Sequence, residues 1–498
     1  MLLRYLKKIF YNSVAELRKR RNKIAAALLF AASIPAVSTW AQNSLRSAYF
    51  LEGYTYRHQM NPAFASERNY VGMPVLGNFN IGLQSNIGVS NFLYKLPNGD
   101  LTTFLNGSVS SGEFLDGLKN RNRLNLDVDM NIISFGFHKW GGFNTFDLSV
   151  KSGIRANLPK DLFEFAKVGM QGGHSEYNLE DMGMYSNSYA EIALGHSRKI
   201  MDKLTVGAKV KFLLGIYNAD FHINDMKLVM SDDKWLVSGD GEFSTAGIVD
   251  IPTKLKTKDV TDDYGNIHQE TEEELDFDNI GTGDAIGGFG MAFDFGATYQ
   301  LREDLELSMA VLDLGWISYK NAVQSAMAME PWEFDGFHDI PFDSDKAAPG
   351  MSIEDQIDNL TDDLEDLFQM KVQGKDKHTK ALGATLNIGA LYTFPFYDKL
   401  KFGFLESTRI NGQYSWSEGR FSANVAPVKC FDASISYAIS SFGSSFGWIA
   451  NYHGKGFSLF LGSNHQFFKV TPQFIPVNNA NMNISIGINF PFGDIKSL

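Results

Sequence analysis

The strictest constraint on the fold is a strand-like alternation near the C-terminal end of the chain. From residue 481 to 490, polar or small residues alternate with an apolar set that comprises Met482, Ile484, Ile486, Ile488 and Phe490. A period of two is typical of a β-strand with two different faces. A strand that crosses a bilayer needs about 9–11 residues, apolar towards lipid and polar towards the lumen. The segment therefore predicts a membrane-spanning strand.

The same alternation recurs along the chain. It is clear in residues 79–89, 124–131, 206–215, 289–301 and 382–390. Shorter examples lie near 146–152, 189–197, 305–311, 400–405, 431–439, 446–452 and 457–461. Together the segments predict about fourteen strands, an even number, as antiparallel single-chain barrels require.

A soluble β-sandwich is the alternative fold, because its strands also alternate. Several of the segments reach ten residues, whereas strands of globular proteins usually have about 5–6. Their polar faces are mostly Gly, Asn, Ser and Asp, which suit a wet lumen. We therefore predict an all-β fold, a transmembrane antiparallel barrel over residues 42–498 with a few short helices.

The first 41 residues predict export from the cytoplasm. A basic stretch, residues 1–23, precedes an apolar stretch, residues 24–37, and small residues follow at Thr39 and Ala41. This order is typical of a secretory signal peptide, here residues 1–41 with cleavage after Ala41. The alternative is an uncleaved inner-membrane anchor, but the apolar stretch is short for a span of about 20 residues. Because a membrane-spanning barrel is predicted after the signal peptide, the predicted location is the cell outer membrane.

Composition excludes several classes of function. The chain carries 45 Lys and Arg against 57 Asp and Glu, a net charge of −12, whereas nucleic acid is bound through basic surfaces. Cys430 is the only cysteine, so no internal disulfide forms. The ten histidines are scattered, and no cofactor or metal motif is present. We predict no cofactor and no enzymatic activity.

One motif resembles that of serine hydrolases. Residues 443–447 match G-x-S-x-G, but that chemistry needs the serine on a strand-to-helix elbow. Here strand-like runs flank the motif on both sides, which predicts a hairpin turn.

The predicted connections between strands are unequal in length. Several are charged turns of a few residues, whereas residues 218–288 and 318–378 form long, acidic inserts. Outer-membrane barrels place short turns in the periplasm and long loops outside, so we predict that both inserts are extracellular. An acidic amphipathic helix is predicted within 352–367, and weaker helical patterns cover 111–120 and 159–170.

Five charged residues lie on the predicted polar faces of strands and are candidates for the lumen lining: Asp127, Asp129, Lys209, Lys211 and Asp294. In one interpretation they form a polar lining for a solute, with the lysines opposite Asp127 and Asp129. In the interpretation that we favour they are paired and rigidify the barrel, because charges at membrane depth need partners.

Several stretches resemble an uncharacterised family, domain of unknown function 5723. They are residues 54–64, 190–197, 206–215 and 311–317, and the resemblance extends over nearly all of the mature chain. It implies an outer-membrane barrel and assigns no activity.

A more distant resemblance is to the long-chain fatty-acid transporter barrels and their relatives in type IX secretion. It rests on Asn61, Pro62 and Ala63, an Asn-Pro-Ala sequence near the mature N-terminus. The resemblance implies that residues 42–75 enter a fourteen-stranded barrel as a plug.

We therefore predict a transport-type barrel that takes up a small hydrophobic solute. Its expected partners are outer-membrane lipid, the barrel-assembly machinery and that solute. The main alternative is a scaffold that binds surface proteins through its acidic loops. A barrel enzyme acting on lipid or peptide is the third possibility.

Overall fold

The computed structural model describes residues 44–170, 174–261, 267–334, 370–466 and 481–494. Its helices are η1 (Arg46–Ala48), η2 (Thr55–Gln59) and η3 (Val89–Asn91), which are 3-10 helices, and the α-helices α1 (Ser111–Asp116) and α2 (Lys160–Val168). The two α-helices confirm the helical patterns at 111–120 and 159–170. In the described ranges, no helix is long and apolar enough to cross a membrane. The predicted signal peptide and the predicted helix within 352–367 lie outside the described residues.

The rest of the regular structure is β. In chain order the strands of the described residues are β1 (Asn69–Gly72), β2 (Phe79–Ser85), β3 (Leu93–Lys95), β4 (Leu101–Thr103), β5 (Arg121–Lys139), β6 (Gly142–Pro159), β7 (His174–Asn178), β8 (Gly183–Met201), β9 (Leu204–Ser231), β10 (Trp235–Gly247), β11 (Val249–Asp250), β12 (Thr253–Thr261), β13 (Ile267–Leu275), β14 (Gly281–Thr282), β15 (Gly288–Arg302), β16 (Leu305–Phe334), β17 (Lys371–Ala381), β18 (Ala384–Thr393), β19 (Leu400–Ile410), β20 (Trp416–Val428), β21 (Phe431–Ser440), β22 (Gly443–His453), β23 (Ser458–Gln466) and β24 (Met482–Phe492).

Fourteen wall strands close into an antiparallel barrel. β1 and β2 act as one interrupted wall strand, since both pair with β5 on one side and with β24 on the other. The wall continues through β6, β8, β9, β15, β16 and β18 to β24, each paired with the next. The pair Phe79↔Ile486 closes the ring. The predicted fold class and strand number are confirmed.

The outer face of the wall is apolar. On β24, Ile484, Ile486 and Phe490 are exposed, whereas Ser485 and Asn489 between them are buried. Exposed Phe, Ile, Leu and Met side chains continue this belt around the other wall strands. A closed sheet with an apolar exterior satisfies its backbone internally and presents hydrocarbon to lipid, which is the requirement for spanning a bilayer.

Two wall strands continue far beyond the barrel. β9 has 28 residues and β16 has 30, whereas about 9–11 are enough to span the membrane. Above the barrel, β10 takes the place of β15 between them, and β7, β17, β13 and β12 extend the same sheet. We call this part, residues 217–261, 267–275, 319–334 and 370–381 with β7, the extension. Much of the described part of the two predicted loop inserts is therefore strand.

The first wall strand ends earlier than the alternation at 79–89 predicts. β2 stops at Ser85, and Val89 begins η3. At this point the Ser85 hydroxyl donates to the carbonyl of Arg123, and Asn86 bonds the backbone of Arg121 and Arg123 with its side chain. Side-chain hydrogen bonds thus replace the backbone ladder and release the chain from the sheet.

Candidate functional site

The lumen of the barrel holds the first part of the described chain. Residues 44–65, which we call the lumen segment, contain η1 and η2 and are largely buried. Their apolar side chains form one cluster with wall residues, namely Phe143, Leu391, Leu405, Ile449 and Phe460. Tyr54 packs edge-on against Phe460, with ring centroids 4.9 Å apart. The wall that faces the lumen segment is therefore partly apolar.

Glycines on the inner side of the wall make room for the lumen segment. Pro62 lies against Gly207, and the Asn61 side chain lies against Gly296, which pairs with Gly207 across β9 and β15. The ring of Phe50 rests on Gly403 in the same way. A β-carbon at any of these glycines would occupy space that the lumen segment fills. Wall and segment are complementary in shape at these points.

The structure places Asn61, Pro62 and Ala63 inside the barrel, in contact with the wall. Asn61 Nδ2 donates to the carbonyl oxygens of Ala297 and Met309, each at 3.3 Å. Its Oδ1 accepts a hydrogen bond of 2.9 Å from the Ala63 backbone N–H. The Asn-Pro-Ala sequence thus folds back on itself and fastens the lumen segment to β15 and β16.

His58 makes a second polar attachment. Its Nδ1 is 2.8 Å from Lys209 Nζ, and its Nε2 is 2.7 Å from Tyr70 Oη. Lys209 Nζ also lies 3.3 Å from Asp147 Oδ2, and Ser134 donates to the other oxygen of Asp147 at 2.8 Å. An ammonium can only donate, so His58 Nδ1 accepts and its Nε2–H donates to Tyr70. Four wall groups thereby hold one neutral imidazole.

Ion pairs fasten the beginning of the lumen segment. Arg46 Nε and Arg420 Nε each donate to Glu418 Oε1 at 2.9 Å. The Arg46 guanidinium also lies 4.8 Å from the centroid of the Trp416 ring, a cation–π distance. Ser47 Oγ accepts a hydrogen bond of 3.1 Å from Arg420. These contacts bury two arginines and one carboxylate together.

A ladder of charges crosses the middle of the lumen. Lys211 Nζ lies 2.7 Å from Asp294 and 2.6 Å from Asp313, and Lys151 binds Glu191 at 3.0 Å. Asp313 has a φ of 60° and lies at a register shift opposite Asp294, whose Oδ1 accepts the Asp313 N–H at 2.7 Å. This bulge adds one inward residue to β16 and delivers a second carboxylate to Lys211.

All five candidate lumen residues are buried within the barrel, but their partners differ from the expected ones. Asp127 binds Arg155 at 3.0 Å, and Asp129 lies opposite Lys151 across β5 and β6. Lys209 and Lys211 bind the other carboxylates described above. The arrangement is that of paired, structural charges rather than of an open polar lining.

Sequence reasoning missed the other buried charged residues of the lumen, which include Asp147, Lys151, Arg155, Glu191 and Asp313. Strict alternation within the predicted strands near 146–152 and 189–197 could have placed Asp147, Lys151 and Glu191 on the inner face, and its continuation along β6 reaches Arg155. Asp313 gives no such signal, because the bulge interrupts the alternation of β16.

Buried charge inside the barrel is balanced. Within the described residues, eight cationic side chains and eight carboxylates are buried in the barrel and lumen segment. The cations are Arg46, Arg57, Lys151, Arg155, Lys209, Lys211, Arg409 and Arg420, and the carboxylates are Asp127, Asp129, Asp147, Glu191, Asp294, Asp313, Glu418 and Asp432. These buried side chains therefore carry no net charge with which to attract an ionic solute.

The serine-hydrolase-like motif forms a hairpin, as predicted. Ser445 lies in β22 just after the turn from β21, and its Oγ is 2.8 Å from His465 Nδ1. Glu418 Oε2 lies 3.8 Å from His465 Nε2, and the Glu418 carboxylate is already bound by Arg46 and Arg420. A nucleophilic triad needs an acid that hydrogen-bonds the histidine, so the geometry lacks one component. In the described part of the chain, no three His, Cys, Asp or Glu side chains are grouped to hold a metal ion.

Comparison with known families identifies one match. The model of the "Family of unknown function (DUF5723)" matches residues 62–464, which confirms the resemblance predicted from the sequence. No curated protein matches the sequence.

Several solved structures are similar to the chain. The toluene transporter TbuX of Ralstonia pickettii has 11% identity and a TM-score of 0.38, with 88% of this chain and 93% of that chain covered. The toluene transporter TodX of P. putida has 10% identity and a TM-score of 0.37, with coverages of 87% and 93%. A FadL homologue of Pseudomonas aeruginosa has 10% identity and a TM-score of 0.38, with coverages of 92% and 100%.

Proposed function

Because the chain belongs to the DUF5723 family, which carries no assigned activity, we propose its function from its own geometry. The protein is a transport-type barrel of the outer membrane, and residues 44–65 are its plug. Its solute is small, uncharged and apolar. The observation that supports this most directly is a lumen occupied by a segment that, apart from its peptide link to β1, is attached to the wall only by non-covalent contacts.

The apolar character of the solute follows from what the plug covers. If residues 44–65 move, the wall side chains that they leave behind include Leu391, Leu405, Ile449 and Phe460. Exposure of such an apolar surface to water is unfavourable, by roughly 25 cal/mol per Å². An apolar solute that covers the surface in place of the displaced segment restores this free energy. The balanced buried charges leave no net attraction for an anion or a cation.

The membrane placement rests on the apolar belt and on the predicted signal peptide. At one end of the barrel all the connections between wall strands are short, such as 140–141 and 202–203, and the extension lies at the other end. By the rule for outer-membrane barrels, the short turns face the periplasm and the extension faces the medium. The predicted inserts are extracellular in this orientation.

A crosslinking experiment tests the plug. Ser47 Oγ on the plug is 3.2 Å from Ser436 Oγ on β21, so cysteines at both positions can form a disulfide that ties the plug to the wall. The double variant S47C/S436C is made in a Cys430→Ser background. We expect oxidation to reduce uptake of a small aromatic hydrocarbon into reconstituted vesicles at least tenfold, and reduction to restore it.

The matched control joins two wall residues. Ser152 and Ser188 are hydrogen-bonded across β6 and β8, so S152C/S188C stiffens the wall without tying the plug. Oxidation of this control should leave uptake unchanged. If oxidised S47C/S436C transports the hydrocarbon as fast as the reduced form, the plug does not have to move and the proposal fails.

The extension supports a second candidate function, a scaffold that binds a surface protein. Its outermost hairpin, β12 and β13, carries lysines opposite glutamates, for example Lys254 Nζ at 3.2 Å from Glu274. Deleting residues 253–275 separates the two functions. A transporter takes up the hydrocarbon with or without the hairpin and loses no partner, whereas a scaffold takes up none in either form and loses a stoichiometric partner in pulldown when the hairpin is deleted.

A further inference from the structure

A cavity of about 200 Å³ lies where the extension joins the barrel. Thr245, Asp250, Asp284, Lys320 and Lys375 are among its lining residues. It lies outside the lumen, beside the bulge of β16 at Asn321, whose φ is 52°. None of the contacts described for the plug involves these residues.

The apolar belt on the outer face of the wall indicates the depth of this cavity in the membrane. Lys320 Nζ lies 5.4 Å from the ring centroid of Phe289, and Phe289 is exposed on the outer face of β15. Trp316, on the same face of β16, is exposed as well. Tryptophan and lysine at the end of an apolar belt are typical of the membrane–water boundary, where lipid headgroups lie.

The cavity carries cations in a part of the chain that is mainly acidic. Lys320, Lys375 and the adjacent Lys377 are exposed. Lys375 Nζ binds Asp250 at 3.3 Å, and Asp284 also lines the cavity. A lysine is a compact charge with three donors, and it is a standard ligand of phosphate groups.

We propose that this cavity binds a phosphate group, with Lys320 and Lys375 as its ligands. In the orientation given above, the cavity is at the level of the outer-leaflet headgroups, so a phosphorylated lipid of that leaflet is the source that the geometry favours. Free inorganic phosphate has the same chemistry. Asp250 competes with the phosphate for Lys375, and the site is independent of what passes through the lumen.

The first arm of the test uses lipid as the probe. The full-length protein is placed in nanodiscs that contain phosphatidylcholine and a small fraction of lipid A, and retained lipid A is measured by native mass spectrometry. We expect K320Q/K375Q to retain at least tenfold less lipid A than the wild type. The Asp250→Asn variant should retain more, because it frees Lys375 and removes a repelling charge.

Two controls keep the result specific. Lys234 is an exposed lysine far out on the extension that pairs with Glu333, and Lys234→Gln should retain lipid A like the wild type. The heat-induced mobility shift of each variant on gels checks that the barrel is folded. Equal retention by wild type and K320Q/K375Q, or a decrease in Asp250→Asn, would overturn lipid A as the ligand of this cavity.

The second arm uses inorganic phosphate alone, in equilibrium dialysis of the detergent-solubilised protein. Binding that disappears in K320Q/K375Q, without specific retention of lipid A, keeps the phosphate site but overturns the lipid as its source. Binding of neither probe removes the site altogether. Neither outcome affects the crosslinking test of the plug.

Discussion

The barrel part and the extension part of β9 and β16 show that one alternating pattern of apolar and polar residues occurs in two environments. In the barrel, Phe212 and Met309 are about half exposed to lipid, at 44% and 51%. In the extension, Ile223 and Met327 on the same two strands are only 3% and 2% exposed. There the chain itself covers the apolar face, with contributions from Tyr177, Leu179 and Leu162. Alternation therefore shows that one face is apolar, but not whether lipid or protein covers it.

The largest effect that separates the two halves should come from their ion pairs. Replacing Lys211 by Met removes the cation that binds Asp294 and leaves Asp313 with the more distant Arg409, at 3.6 Å, at a cost of about 3–5 kcal/mol. In the extension, Lys371 binds Glu272 at 2.6 Å but its side chain is largely solvated. Lys371→Met is the matched control and should cost about 0–1 kcal/mol. Urea unfolding of the reconstituted barrel measures both, and equal losses would contradict the comparison.

The second-largest expected effect concerns the apolar belt on the outer face of the wall. Phe295 is exposed near the middle of β15, so Phe295→Arg places a charge in hydrocarbon and should cost about 2–4 kcal/mol of folding free energy. Phe295→Leu keeps the apolar surface and is the control. The measurement is the fraction that refolds into vesicles. Normal refolding of the arginine variant would mean that lipid does not cover this position.

A smaller effect is expected from the core of the extension, and it should be local. Met327 packs with Ile223, Met226 and Val237, and Met→Ala truncations cost about 2–5 kcal/mol. We expect the lower part of that range, because neighbouring methionines can fill space. Limited proteolysis of Met327→Ala should cut the extension faster while the unfolding midpoint of the barrel stays the same. A drop in that midpoint would show that the halves fold as one unit.

The smallest effect is a pH dependence of the extension. The Asp220 carboxylate, 3.7 Å from His222 Nδ1, holds the pKa of that imidazole above its ordinary value, and Glu242 adds to this. Because the pKa is raised, protonation of His222 stabilises the folded form fully at pH values below the ordinary histidine pKa, near 6.5. This stabilisation is lost as the pH rises through the pKa of the folded state. Since the pair is half-solvated, the contribution is on the order of a few tenths of a kcal/mol. In hydrogen exchange, the protection factors of residues 217–231, which are corrected for the intrinsic rise of amide exchange with pH, should therefore fall slightly between pH 6 and 8. His222→Gln should remove this fall.

The sequence predicts the barrel well because lipid enforces a strict rule. Every wall strand must show an apolar face, so residues 481–490 and their equivalents are recognisable one by one. The sequence predicts the extension poorly. Its strands lie outside the lipid, so neither their length nor the alternation of apolar and polar residues along them is constrained by the membrane. The bulges at Asp313 and Asn321 interrupt the period of two, which is why 318–378 is predicted as a loop.

The sequence predicts the lumen only in part, better than the extension and less well than the outer face of the barrel. The alternation places Asp127, Asp129 and Lys209 on the inner face, but it cannot tell which side chain on a distant strand meets them. The contact of Lys209 with His58 joins residues 151 positions apart. Such partners depend on the curvature of the closed barrel and on a segment that has no periodic pattern of its own.

The glycines under the lumen segment have a consequence for the order of assembly. The segment is continuous with β1, and β1 and β2 form the seam with β24 that closes the ring. Tethering by a few residues keeps the segment at a high effective concentration beside that seam throughout biogenesis. The wall is thus expected to curl around an occupant that is already present, with Gly207, Gly296 and Gly403 leaving the hollows into which it settles. A barrel made without residues 44–65 would have to close around a void, and a copy of the segment added later in trans would meet a ring that is already shut.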